Sequence, residues 1–142
     1  MKIQKLREVK TPSRGTSASA GIDFFTPQDF PTKDLGPGES VLIPSGIRVE
    51  VPRGYALVAF NKSGVATKQG LQVGACVVDE DYEGEVHLHM VNVSNKRQTI
   101  ESGQKLVQFV LLPINYSQIE VVDEINGRNT ERGAGGFGST GL

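Results

Sequence analysis

The sequence predicts an all-β, single-domain protein: a sandwich, jelly roll or barrel of eight or more short strands. Three observations carry that expectation. Seventeen glycines and seven prolines cut the 142 residues into short runs. Within those runs the apolar residues alternate or fill the run, as in strands that cover one or both faces. No long stretch shows the 3.6-residue apolar period of an amphipathic helix. A length near the commonest domain size suits one hydrophobic core.

The elements follow in chain order. Gly36-Pro37-Gly38 marks a turn, after which Val41, Ile43, Ile47, Val49 and Val51 recur through residues 39–52, with a bend at Pro44-Ser45-Gly46. Pro52-Arg53-Gly54 turns the chain into a second strand at 55–60. The one helix expected is Ser63–Gln69, barely two turns between a Ser start and a Gly70 stop. An apolar run at 73–78 ends directly at Asp79. Residues 85–95 alternate, with Val86, Leu88 and Met90 on one face. Residues 106–114 read as a strand buried on both faces, and 119–125 as a further short one. Residues 126–142 differ. Six glycines with one aromatic, Phe137, cannot offset the ordering entropy of such a segment by burial. The expectation is a β-domain over 1–125 and a flexible arm over 126–142 that orders only when something binds.

Charge narrows the function classes. Fifteen Lys and Arg against sixteen Asp and Glu leave a formal net charge of −1, which argues against direct nucleic-acid binding. A single cysteine, Cys76, excludes a disulfide framework within the chain and a multi-cysteine zinc site, and is expected as a small buried residue. The longest apolar stretch, 106–114, is far short of the ~20 residues of a membrane helix. Residues 1–7 lack the apolar core of a signal peptide, so a cytoplasmic location is expected.

Several segments carry chemistry. Asp79-Glu80-Asp81-Tyr82-Glu83-Gly84-Glu85 holds five carboxylates in seven residues. A calcium loop would need Glu at its twelfth place, where Met90 stands. A solvated hairpin tip and a general base both fit, and Asp79, at the end of the apolar run, is the acid a strand would hold most rigidly. Lys62-Ser63-Gly64 at the helix start fits either an anion site or an ordinary N-cap. His87 and His89 share one face of a strand with no third metal ligand at suitable spacing. The tail, Arg132-Gly133-Ala134-Gly135-Gly136-Phe137-Gly138-Ser139-Thr140-Gly141, fits a solvated linker or a lid. Its glycines free backbone N–H groups to converge on phosphate, Arg132 offers a forked donor, Ser139 and Thr140 offer hydroxyls, and Phe137 a stacking face.

Taken together, five segments resemble, in order, the five motifs of the trimeric deoxyuridine triphosphatases. Ala20-Gly21-Ile22-Asp23-Phe24 resembles A-G-x-D-L, and Lys62-Ser63-Gly64-Val65-Ala66 resembles R-S-G-L-A. Residues 74–84 resemble a segment ending I-D-x-D-Y-x-G, and Gly103-Gln104-Lys105-Leu106-Val107-Gln108 resembles G-D-R-I-A-Q. The tail resembles R-G-x-G-G-F-G-S-T-G almost letter for letter. Lys62 stands in place of Arg, Cys76 in place of a common Gly, and Gln104 in place of Asp.

The resemblance implies a jelly-roll-like subunit in a homotrimer whose active sites are each shared by all three chains. It implies hydrolysis of dUTP to dUMP and pyrophosphate, with Asp79 activating the water that attacks the α-phosphorus. Tyr82 would pack on the deoxyribose, and main-chain groups of Gly74, Ala75, Cys76 and Val78 would read the uracil. Lys62, Ser63, Gly64, Gln108 and Arg132 would grip the triphosphate, with Phe137, Gly138 and Ser139 closing over the substrate. Mg2+ would bind through phosphate oxygens and water, with Asp23 reaching it through those waters. Two rivals are distinguishable. The related dCTP deaminases carry a catalytic Glu where His89 stands, and a nucleotide-binding regulator without turnover would have no need of Asp79.

Overall fold

The structure, a computed structural model, describes residues 1–127 and 129–136. Eleven strands and one helix follow in chain order: β1 (Lys2–Lys5), β2 (Ser13–Arg14), β3 (Ile22–Phe25), β4 (Lys33–Leu35), β5 (Ser40–Glu50), β6 (Tyr55–Asn61), α1 (Ser63–Gln69), β7 (Leu71–Val73), β8 (Val77–Val78), β9 (Glu85–Asn92), β10 (Gln98–Ile100) and β11 (Lys105–Pro113). They form a five-stranded sheet, β2-β3-β11-β6-β8, a four-stranded sheet, β1-β5-β9-β7, and a β4–β10 pair. Every pairing is antiparallel. The all-β expectation holds.

Alternation builds the core. Along β9, Val86, Leu88, Met90 and Asn92 are buried while His87 is exposed. Ile43 and Ile47 from β5 and Leu57 from β6 join them, and Phe24 and Phe109 pack with ring centroids 4.6 Å apart. The expected bend at Pro44-Ser45-Gly46 lies inside β5, where the register with β9 shifts between Pro44 and Arg48. Gly46 takes φ +75°, a conformation costly to any side chain, and its N–H donates to Glu85 Oε1 at 2.6 Å. Buried Asn92 closes the β9–β10 turn. Its Nδ2 donates to the Leu35 and Lys96 carbonyls at 2.9 and 2.7 Å, and its Oδ1 accepts from the Ser94 amide and hydroxyl.

Four expectations need correction. Residues 119–125 join no strand among those described, and Ile119 and Val121 are about 95% exposed. Alternation alone does not make a strand without a neighbour to pair with. In β11 only Leu106, Val107 and Phe109 are fully buried; Val110, Leu111 and Leu112 are half-buried, with Leu111 packed against the core, and Pro113 is exposed. Cys76 is exposed, since it lies where the chain crosses from one sheet to the other. Ser63 is the first helical residue, not the cap. Lys62 occupies the cap position, and its side chain makes no capping hydrogen bond.

Candidate active site

Three strands bring the first, second and fourth conspicuous segments together. On β11, Gln108 stands opposite Asp23 of β3 on one side and Phe60 of β6 on the other. Gln108 Nε2 donates to the Asn61 carbonyl at 2.8 Å. Gly21 makes room for it, because a Cβ there would approach Gln108 Oε1 to 2.2 Å. Asp23 is buried and spends both carboxylate oxygens on lysines: Oδ1 on Lys62 Nζ, and Oδ2 on Lys105 Nζ at 3.1 Å. Two ammonium groups against one carboxylate leave a positive charge beside the exposed Ser63 and Gly64. Gln104 braces the turn before β11, accepting the Glu101 N–H on Oε1 while its own N–H donates to buried Thr26 Oγ1.

Burial favours the protonated form of Asp23, but the two lysines together outweigh it and hold the carboxyl below the ordinary aspartate value of 3.8. A depressed folded pKa means stability that is full above 3.8 and lost as pH falls through the lower folded value. Asp23→Asn should therefore be less stable than the parent at pH 7, with the gap closing in acid. Urea midpoints at pH 7 and at about pH 2.5 test this, and an equal gap at both would contradict it.

A second group of residues surrounds a pocket of about 180 Å³. Here the two sheets part. β7 pairs with β9 only from Met90 to Asn92, and β8 pairs with β6 instead. Beyond the single bond from the Gly74 N–H to the His89 carbonyl, the β9 edge therefore faces residues 75–78 across a gap with no ladder bonds. The His89 carbonyl points to that side, accepting the Gly74 N–H at 2.9 Å, so by strand alternation the His87 main chain points there too. Ala75, Cys76, Val77 and Val78 form the opposite wall. A flat ring with donors and acceptors on its edge can bridge such a gap as a strand would.

Asp79 and Tyr82 stand at the mouth of this pocket. Asp79 directly follows β8, whose Val78 is anchored against Leu57, and its side chain is exposed. Tyr82 lies across Gly84, where a Cβ would come within 2.3 Å of the phenol oxygen, and its hydroxyl donates to the Glu85 carbonyl at 2.9 Å. Tyr116 lies close to the same acidic loop. Partial desolvation, then the carboxylates of Glu80, Asp79 and Asp81, raise its phenol above its ordinary value.

The two groups do not meet within one chain. Val78 pairs with Leu57, so Asp79 lies level with Ala56, whereas Lys62 follows the far end of β6. Six residues of strand separate them by about 20 Å. Arg132 is exposed in the tail, remote in sequence from both, and Phe137, Gly138 and Ser139 lie outside the described residues.

A family model described as dUTPase matches residues 7–141. The chain belongs to the dUTPase family. It is 38% identical over 143 residues to the deoxyuridine 5'-triphosphate nucleotidohydrolase of Hydrogenobaculum sp., covering 99% of this chain and 96% of the relative. It is 36% identical to that of Mus musculus, covering 99% and 85%. Among solved structures, the dUTPase of Staphylococcus bacteriophage 80alpha with dUpNHpp matches with a TM-score of 0.87 at 25% identity, over 99% and 98% of the two chains. A dUTPase of phage phi11, described with a structural Mg(II) ion, matches the fold with a TM-score of 0.79 at 24% identity, over 89% and 98%.

No group of three or more His, Cys, Asp or Glu residues that could bind an ion occurs among the described residues, and both Asp23 oxygens are committed to lysines. No helix among them is long and apolar enough to cross a membrane. Sequence reasoning missed three contributors: Lys105 as the second partner of Asp23, Asn61 and His89. Each acts through a contact between distant strands, and no local pattern marks it.

Proposed function

We infer that this chain hydrolyses dUTP to dUMP and pyrophosphate in the cytoplasm, keeping uracil out of DNA and supplying dUMP for dTMP synthesis. One observation carries the reading: a pocket between two strand edges, with a strand-end carboxylate and a tyrosine ring at its mouth. Uracil fits the gap. Free main-chain groups of the 74–78 hairpin and of His87 pair with its edge, and the mismatched edge of cytosine would leave buried groups unpaired. The Tyr82 ring covers the deoxyribose and leaves no room for a 2'-hydroxyl. Asp79 accepts a proton from a water aligned on the α-phosphorus. The new P–O bond forms as the bond to the bridging oxygen breaks, and pyrophosphate leaves.

The separation along β6 supports a homotrimer. Asp79 of one copy meets Lys62, Ser63, Gly64 and Gln108 of a second, and the arm, with Arg132, Phe137, Gly138 and Ser139, closes the site. A magnesium ion would be held mainly by the substrate's own phosphates, with Asp23 reaching it only through water, and would supply charge neutralisation there. Asp23 itself sets Lys62 and Lys105 beside the phosphates. Purified protein with dUTP, dCTP or UTP and magnesium tests the reading. Pyrophosphate from dUTP alone is the expected result. Ammonia from dCTP would point to a deaminase, and binding without turnover to a regulator.

A further inference from the structure

The hairpin that crosses between the sheets is held amide by amide. The Val73 N–H donates to Asn61 Oδ1 at 2.7 Å, and the Gly74 N–H to the His89 carbonyl at 2.9 Å. The Ala75 N–H donates to His89 Nδ1 at 2.9 Å, and the Cys76 carbonyl accepts the Ala59 N–H at 2.7 Å. His89 thus binds two successive amides, one with its main chain and one with its ring. The ring also lies against the bare Cα of Gly74, where a Cβ would approach Nδ1 to 2.1 Å and Cε1 to 2.5 Å. Any bulkier residue at position 74 would lift the imidazole off Ala75.

We propose that His89 is a positioning residue for pyrimidine recognition: its imidazole, bonded to the Ala75 amide, sets the hairpin wall of the pocket at the spacing a uracil ring requires. This rests on the uracil reading given above. The hairpin needs such a brace because Gly74, Ala75, Cys76 and Val77 are all exposed, and the first core anchor after Val73 is Val78. Between Val73 and Val78 nothing apolar fixes the wall. A side-chain acceptor on the adjacent strand therefore decides where Ala75 stands, and a displacement well under an ångström alters the pairing with a bound base. His87, on the same face of β9, does not share the task. Its Nδ1 pairs with the Glu85 carbonyl. As acceptor, Nδ1 of His89 carries no proton and Nε2 does.

Two substitutions test this in the full-length enzyme. His89→Leu removes the acceptor. His89→Asn keeps one, since its Oδ1 is as many bonds from the backbone as Nδ1 and accepts the same amide proton. His89→Leu should raise KM for dUTP about tenfold with kcat within about twofold, and His89→Asn should bring KM back to within about twofold of the parent. Through-bond ¹⁵N–¹⁵N coupling between the Ala75 amide and His89 Nδ1 reads the contact in the parent without substrate. An unchanged KM in the Leu variant, an Asn variant as impaired as the Leu variant, or no coupling in the parent would each overturn the proposal. A parent that binds and cleaves no dUTP overturns the enzymatic reading. A parent that does cleave it, with coupling present and KM indifferent to position 89, sinks only the role of His89.

Discussion

Asp79→Asn should lower kcat for dUTP by about 10³-fold while leaving folding and dUTP binding near those of the parent. The carboxylate is exposed at the end of β8, and no hydrogen bond or ion pair holds it among the described residues. An amide of the same shape therefore costs the fold little. What it removes is an acceptor basic enough to take a proton from water. A thermal melt, a binding isotherm with a non-hydrolysable dUTP analogue and a pyrophosphate assay separate these quantities. Near-normal turnover would remove Asp79 as the base, and a lost melt transition would make its role structural.

Deleting residues 130–142 should abolish nearly all turnover, by about 10²-fold or more, with little change in melting temperature. The described residues of this segment join no strand and bury no large side chain, so their removal takes nothing from the core. It does take away the Arg132 guanidinium, a run of glycine amides and the one aromatic ring of the tail, the groups assigned to the far phosphates and the base. The loss should appear in both kcat and KM, because the lid both holds substrate and excludes water. Full activity in the truncated protein would show that the site closes without it.

Much of this was legible in the residues, and what was not has a physical cause. Periodicity marked β5, β6, β9 and β11, and a Ser start with a Gly70 stop placed the helix at Ser63–Gln69, its observed bounds, because each carries its own apolar pattern or its own terminator. β1, β2, β4 and β10 span two to four residues and owe their form to a neighbouring edge, so nothing local announces them. The same distinction divides the site. Asp79 was found from the run before it and Tyr82 from its motif, whereas Lys105 beside Asp23 and His89 beneath Gly74 exist only once the strands are in register. Cys76 shows the opposite failure. Composition favours burial for a lone cysteine, and the crossing between sheets overrides it.

The distance between the two ends of β6 reaches beyond any single molecule to the way defects would combine in a cell. On the shared-site reading, a copy broken at Asp79 can still lend its lysine cluster to a neighbour, and a copy broken at Lys62 can still lend its carboxylate. Two alleles, each dead alone, would then rescue one another in part when expressed together, whereas two lesions at the same end would not.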